Sequence, residues 1–389
     1  MTLIFFDDNA RETLLPLTFT RPVADLRIGI LKISEKWQKY LKIENFGFKT
    51  EEYLQEKFPF KASEKYLFIN GSVCPGAELL EAIDKLRVGE VLVQDSTVIA
   101  YKAGDAEIQI DNLQKVAFTH DILKVEFPEH IFQYSDVEIR KDFKLITHGR
   151  TSNSLSSTNR VLGENIFVED GAEAECSVFN TLKGPIYLGN NSQVWENSAI
   201  RGSFALCDDA LVKMGAKIYG ATTIGPGCKV GGEIGNSVLQ ANSSKGHEGF
   251  LGNSVLGEWC NIGADSNNSN LKNNYAEVKL WDYTKQHFRK TGLQFCGLIM
   301  ADHAKCGINT MFNTGTVVGV GANVFGSGYP RNYIPDFAWG GAHGFEVYAL
   351  NKMFETSERV FERRNQMLNE TEKNILHKVF ELTEQYRRF

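Results

Sequence analysis

Leu188-Gly189-Asn190-Asn191-Ser192-Gln193, Val194-Trp195-Glu196-Asn197-Ser198-Ala199 and Ile200-Arg201-Gly202-Ser203-Phe204-Ala205 follow one another as three unbroken sixes. Each unit opens on an aliphatic residue and places a small residue at or near its fifth position. The phase returns at Leu162-Gly163-Glu164-Asn165-Ile166-Phe167, Val168-Glu169-Asp170-Gly171-Ala172-Glu173 and Ile224-Gly225-Pro226-Gly227-Cys228-Lys229. It returns again at Leu256-Gly257-Glu258-Trp259-Cys260-Asn261, Ile262-Gly263-Ala264-Asp265-Ser266-Asn267 and Val318-Gly319-Val320-Gly321-Ala322-Asn323. A hexapeptide makes one short strand and one turn, and three of them close a triangular coil with the leading aliphatics stacked inside. Gly and Asn supply the positive φ that the corners need. Each coil covers the open edge of the one before it. The pattern specifies a left-handed parallel β-helix over residues 156–330.

Moving outward, two stretches interrupt the sixes. Residues 236–252 read as a loop-like passage. Residues 267–295 read as an excursion rich in charged and aromatic side chains, including Trp281-Asp282-Tyr283 and His287-Phe288-Arg289-Lys290. Excursions from a solenoid are common places for function. From 331 to 389 the chain is a helical extension: apolar residues recur at three or four, and from 346 on there is no Gly or Pro. We expect it to cap the open end of the solenoid, with Thr371 capping a second helix. Residues 1–155 alternate strand-like segments (3–6, 66–70, 91–93, 98–101) with helix-like ones (28–41, 76–86), the texture of an α/β domain.

A length of 389 residues suits two or three such units. Hydrophobic residues make up 42% and charged residues 23%, which excludes a disordered chain. The net charge of −6 argues against a nucleic-acid binder or a binder of anionic membranes. Seven cysteines without a C-x-x-C pair argue against a disulfide framework or structural zinc, and for buried thiols in a reducing compartment. The start, Met1-Thr2-Leu3-Ile4-Phe5-Phe6-Asp7-Asp8, has no basic flank, so it reads as a buried strand rather than a signal peptide. A cytoplasmic protein is expected.

The stretch with the most chemistry in it is Ser244-Lys245-Gly246-His247-Glu248-Gly249-Phe250-Leu251-Gly252-Asn253, followed by Asn261-Ile262-Gly263-Ala264, Asn270-Leu271 and Cys306-Gly307-Ile308-Asn309-Thr310. Over residues 160–328 this sequence resembles the acetyltransferase domain of the bifunctional GlmU family, most closely its archaeal branch. Amine acetylation needs a base, because an ammonium has no lone pair. An imidazole that titrates near working pH can take that proton. The resemblance implies His247 as this base and Asn270 as the group that positions the amino sugar or polarises a carbonyl. It implies Lys245, Phe250 and Lys279 around the acceptor, with a lysine meeting the sugar phosphate. Gly307, Ile308, Asn309, Ala322 and Phe325 would line the pantetheine groove of acetyl-CoA. Two departures stand out: the family's Tyr is Phe250, and its Lys three residues before the His is Ser244.

Near the N-terminus, Arg11-Glu12-Thr13-Leu14-Leu15-Pro16-Leu17-Thr18-Phe19-Thr20-Arg21-Pro22-Val23-Ala24-Asp25-Leu26-Arg27 resembles the nucleotide-binding entry of sugar nucleotidyltransferases, in the variant of an alternative bacterial GlmU branch. Three arginines before a helix suit a triphosphate. The resemblance implies Arg11, Arg21, Asp25, Arg27, Asn70 and Gly71 as nucleotide-binding residues and Mg²⁺ as the metal. Ser72 replaces the family's metal-binding Asp, which leaves the ligands unassigned among Asp7, Asp8 and Asp95.

The resemblance implies a bifunctional enzyme with sugar-phosphate and nucleoside triphosphate substrates, acting as a homotrimer. It would acetylate glucosamine 1-phosphate and then transfer a uridylyl group from UTP to give UDP-N-acetylglucosamine. One alternative is an acyltransferase on another amino sugar with a degenerate nucleotidyltransferase domain that serves as a scaffold. Another is a zinc enzyme of the γ-carbonic-anhydrase kind, although His247, His287, His303 and His343 lack the close spacing it needs.

Overall fold

The computed structural model describes residues 1–389. The chain forms two compact units. The first holds Met1–Leu14, Thr18–Leu26 and Leu31–Phe127. The second holds Leu15–Leu17, Arg27–Ile30 and Pro128–Phe389.

The first unit is built on a six-stranded sheet in the order Phe46–Lys49, Thr2–Phe6, Tyr66–Asn70, Thr97–Ala103, Glu90–Gln94, Gln114–Ala117. Its first three strands are parallel. The fourth strand pairs antiparallel to its neighbours on both sides. Thr2–Phe6 is buried at every position, as an apolar run in the middle of a parallel sheet should be. The helices Ile33–Leu41 and Ala77–Lys85 belong to this unit. Trp37 is fully buried and its indole donates to the Val73 carbonyl at 2.8 Å. All four strand readings are found.

The helix expected over 28–41 begins only at Ile33. Its supposed first turn, up to Ile30, is instead part of an irregular segment, Arg27–Ile30, of the second unit, with Gly29 at φ +72°. There the Gln240 side chain accepts from the Arg27 N–H at 2.6 Å and donates to the Arg27 carbonyl at 3.0 Å. The Asp142 carboxylate accepts from the Ile30 N–H at 2.8 Å. Long-range hydrogen bonds override local helix propensity here.

The second unit is a parallel β-solenoid, the left-handed β-helix that the hexapeptides specify. Its strands stack into a nine-stranded sheet from Ile166–Val168 to Tyr333–Ile334 and a ten-stranded sheet that starts at Glu173–Ala174. A six-stranded face runs from Arg160–Leu162 to Phe250–Gly252. The leading aliphatics line the interior as expected: Leu188, Leu206, Ile224, Leu239, Leu256, Met300 and Val318 are fully buried. Each such side chain contributes about 1.5–3 kcal/mol. Six cysteines are buried and Cys176 is exposed.

Three details differ from the sequence reading. Residues 236–252 are not a loop: Val238–Ala241, Ser244–Lys245 and Phe250–Gly252 form a regular coil. The last coil continues past 330, through Tyr333–Ile334 and Ala338–Gly341, before the antiparallel strand Gly344–Val347. The helices Pro128–Gln133 and Ser135–Thr147 belong with the solenoid unit rather than with the α/β unit.

The excursion at 267–295 carries an antiparallel hairpin, Lys279–Asp282 with His287–Lys290. The helices Leu350–Glu362 and Glu370–Leu382 follow the last coil. The cap of the second is Asn369, whose side chain accepts from the Glu372 N–H at 2.8 Å, rather than Thr371. No helix is long and apolar enough to cross a membrane.

Candidate active sites

In the solenoid, one corner repeats above Ser244–Lys245. The register pairs Ser244 with Asn261, Asn261 with Lys305 and Lys305 with Asn323. Three residues beyond each of these lie His247, Ala264, Ile308 and Gly326, so they share one long edge of the prism. Adjacent strands are about 4.8 Å apart, which puts Ile308 roughly 10 Å up the edge from His247. Backbone hydrogen bonds tie the corners together: the Asp265 N–H to the Glu248 carbonyl (3.0 Å) and the Asn309 N–H to the Ala264 carbonyl (2.8 Å). A Cβ on Gly249, which holds φ +114°, would come within 2.1 Å of the Ser266 carbonyl. Only glycine fits that turn.

His247 is exposed and its imidazole has no hydrogen-bond partner. Glu248 forms an ion pair with Lys217 at 3.2 Å. Ile308 is 69% exposed, and Phe325 meets Trp339 edge-on at 4.4 Å. Two expectations for this edge fail. Ala322 is fully buried inside the prism and offers no surface to pantetheine. Lys245 stands in the interior column that Val230 and Ile262 also occupy, and is 1% exposed. Its ammonium donates to the carbonyls of Gly231 (3.0 Å) and His247 (2.6 Å). Burial pulls its pKa down to about 8. Its place is under the His247 turn, not on a sugar phosphate.

Phe250 and Asn270 converge over Gly252. A Cβ there would lie 2.4 Å from the Phe250 ring and 2.8 Å from the Asn270 amide nitrogen. Asn270 donates to the Asn253 side chain at 2.8 Å. No hydrogen bond joins Asn270 to His247, which lies six residues of coil before Asn253. Lys279 is an exposed residue of the hairpin, opposite Lys290. The protomer thus brings His247, Ile308, Asn309 and Phe325 onto one edge and Phe250 with Asn270 onto the adjoining face.

In the first unit, the candidate residues gather at the carboxyl ends of the parallel strands, where α/β sheets bind ligands. Asp7 and Asp8 follow Phe6, Thr50 follows Lys49, and Gly71 follows Asn70. Arg11 lies 3.8 Å from Asp7 and 3.5 Å from Glu51, and donates to the Tyr53 hydroxyl at 2.8 Å. Arg21 pairs with Asp25 at 3.4 Å, and Asp25 also holds Lys32 at 2.7 Å. Asn70 is fully buried. It donates to Asp8 and to the Val98 carbonyl at 2.9 Å each and accepts from the Ser72 hydroxyl at 2.7 Å. A Cβ on Gly71 would press on Ala24 at 3.1 Å. Arg27 does not join them: it is buried in the second unit, its guanidinium donating to the Ile30 carbonyl.

Lys124, which no motif marks, sits 3.0 Å from Asp8 and 3.1 Å from Glu126. Burial opposes its charge, but Asp8 and Glu126 outweigh burial and raise its pKa. Burial pushes Asp7 up to about 6 against the hydrogen bonds from Thr50 (2.5 Å) and the Val23 N–H (2.9 Å).

These residues do not fit a Mg²⁺ site. Asp7 is buried and accepts two hydrogen bonds, Asp8 already holds an ammonium and an amide, and Ser72 gives its hydroxyl to Asn70. No three of the chain's His, Cys, Asp and Glu side chains gather where they could hold a metal ion.

The chain thus joins a nucleotidyltransferase-like α/β unit to a hexapeptide solenoid with an exposed histidine. The comparisons narrow the class. Residues 3–151 match the sequence model of a family described as sugar nucleotidyl transferase. The chain is similar to the Bifunctional protein GlmU of Methanocaldococcus jannaschii, 32% identical over 87 residues, which cover 22% of this chain and 21% of the relative. It is also similar to the proteins of that name from Rippkaea orientalis (23% over 197 residues, 42% and 43% covered) and Synechococcus elongatus (22% over 195 residues, 46% and 39% covered). The chain spans less than half the length of each of these relatives. Among solved structures, an Arabidopsis UDP-N-acetylglucosamine acyltransferase aligns at a TM-score of 0.24 and 14% identity, over 60% of this chain and 99% of the other. The chain is GlmU-like over the parts that match these relatives.

Proposed function

We propose that the chain acetylates glucosamine 1-phosphate with acetyl-CoA along the His247 edge and then transfers a uridylyl group from UTP at the strand ends of the first unit. The observation that carries this reading is the alignment of His247 with Ile308, Asn309 and Phe325 on one edge, long enough for an extended thioester arm whose reactive end meets the imidazole.

In the first step the sugar amine attacks the thioester carbonyl carbon. His247 takes the amine proton, the C–S bond breaks, and coenzyme A leaves as the thiol. Lys245 acts as a positioning residue that pins the His247 carbonyl from inside the coil. Phe250 and Asn270 flank the acceptor. In the second step a phosphate oxygen of the acetylated sugar attacks the α-phosphorus of UTP, and pyrophosphate leaves. Arg11 and Lys124 stand where the triphosphate charge would arrive. The protein would work as a cytoplasmic homotrimer, in which a neighbouring prism completes the acceptor pocket around His247.

Incubating the protein with UTP, acetyl-CoA and glucosamine 1-phosphate should yield UDP-N-acetylglucosamine, free thiol and pyrophosphate together, read by mass spectrometry. Absence of all three products would overturn the proposal. A second reading, an acyltransferase with an inert first unit, is favoured by Ser72 and by the inward pairing of Asp8 with Lys124. It predicts thiol without pyrophosphate.

A further inference from the structure

In the solenoid unit, the hairpin, the last coil and the C-terminal turn line a half-open cavity of about 520 Å³. One wall is a slab of two rings: Trp281 of the hairpin lies on Tyr333 of the last coil, with centroids 4.2 Å apart and planes 11° from parallel. Phe288, opposite Trp281 in the hairpin, meets it edge-on at 5.5 Å and remains 40% exposed. Tyr386, from the turn Glu384–Tyr386, lines another side.

Two guanidiniums face the same space. Neither has a carboxylate partner. Arg331 lies over Phe345 and Phe389 at 5.2 and 5.8 Å, and Arg388 donates to the Gln385 carbonyl at 3.1 Å. No Asp or Glu lines the cavity; its other polar side chains are the amides of Gln286, Asn332 and Gln385. Beyond Arg331 a second recess of about 330 Å³ opens toward His343, again without an Asp or Glu side chain.

The volume is that of a small-molecule pocket rather than of a packing defect. Exposed aromatic faces are costly in water and favourable under a planar π-system; stacking of a base on an aromatic ring is worth about 1–3 kcal/mol. Arginines without counter-ions, in a cavity without acids, select for phosphate oxygens, which the guanidinium fork binds bidentately. Neither feature is explained by acetyl transfer at His247 or by the strand ends of the first unit.

We propose that this cavity binds a nucleoside diphosphate group. The base packs against Phe288 and the Trp281–Tyr333 slab, and the diphosphate lies between Arg331 and Arg388. That chemistry is carried both by free nucleotides and by the adenosine end of coenzyme A, and the test separates the two.

Calorimetric titrations of the full chain with UDP, ADP and coenzyme A would be compared with those of the double variant Arg331→Gln/Arg388→Gln and of Phe288→Ala. All three positions are exposed, so unchanged thermal midpoints should show that folding is intact. The proposal expects at least one probe to bind more than tenfold more weakly to the double variant and severalfold more weakly to Phe288→Ala. A loss confined to coenzyme A identifies the source as the acyl donor; a loss that includes UDP or ADP identifies a free nucleotide. If no probe binds at millimolar concentration, or if all three bind both variants as they bind the wild type, the proposal is wrong. The readout is binding, so it stands or falls apart from any turnover at His247.

Discussion

At the strand ends of the first unit, the charged side chains of the candidate site are already matched within the chain: Arg11 with Asp7 and Glu51, Lys124 with Asp8 and Glu126, Arg21 and Lys32 with Asp25. On the solenoid edge the decisive side chain, His247, is exposed and unengaged, and the charge beneath it is turned into the core. In the proposed reading, a triphosphate entering the first unit must displace ion pairs already formed within the chain. In the same reading, a thioester reaching the second would meet an open edge. The two candidate sites thus hold their charge in two ways, one self-neutralised and one open to solvent.

The comparison breaks most visibly at His247. We expect His247→Ala to lower acetyl transfer by about 10²- to 10⁴-fold, the usual worth of a general base, and to leave pyrophosphate release unchanged when N-acetylglucosamine 1-phosphate is supplied as the acceptor. Loss of both activities on the same variant would mean that the units are not chemically separate. The next largest effect is expected for Lys124→Met, at more than tenfold on uridylyl transfer with acetyl transfer intact; equal rates in a pyrophosphate assay would assign Lys124 to folding alone.

Two stability measurements sharpen the contrast between the buried charges. Asp7 binds its proton more tightly in the fold than when unfolded. Its contribution is therefore complete below pH 3.8 and is lost as pH rises through about 6. Asp7→Asn should remove that loss and stabilise the protein near pH 7 by up to about 3 kcal/mol, seen in denaturant midpoints. Lys245 has the opposite sign. Its pKa falls to about 8 in the fold, so stability should rise with pH between about 8 and 10.5. That rise should flatten in Lys245→Met; an unchanged slope would mean that the ammonium is not buried as the structure places it.

How much of this was legible in the sequence varies with the range of the forces involved. The solenoid was, because its interior column is filled by residues recurring at fixed spacing, from Leu188 through Leu206 and Ile224 to Val318. The coil at 236–252 hid from the same reading because a lysine, Lys245, occupies an interior place where the pattern asks for an aliphatic. The start of the second helix of the first unit was misplaced because Arg27 and Ile30 are held by Gln240 and Asp142, more than a hundred residues away. His247, Phe250 and Asn270 are candidates that the motif alone singles out; the structure adds that Phe250 and Asn270 meet over Gly252. The burial of Ala322 and the inward turn of Lys245 were not legible, since both depend on which side chains of a coil face the inside of the prism. Lys124 carries no local signal; only the antiparallel pairing of Leu123–Lys124 with Val73–Cys74 brings it to Asp8.

The most direct test of the account is thiol release from acetyl-CoA with glucosamine 1-phosphate as acceptor, followed for the wild type and His247→Ala side by side. The account predicts acceptor-dependent thiol release that the variant lowers by at least a hundredfold with its thermal midpoint unchanged. Equal rates in the two proteins, or no release at millimolar acceptor, would contradict it.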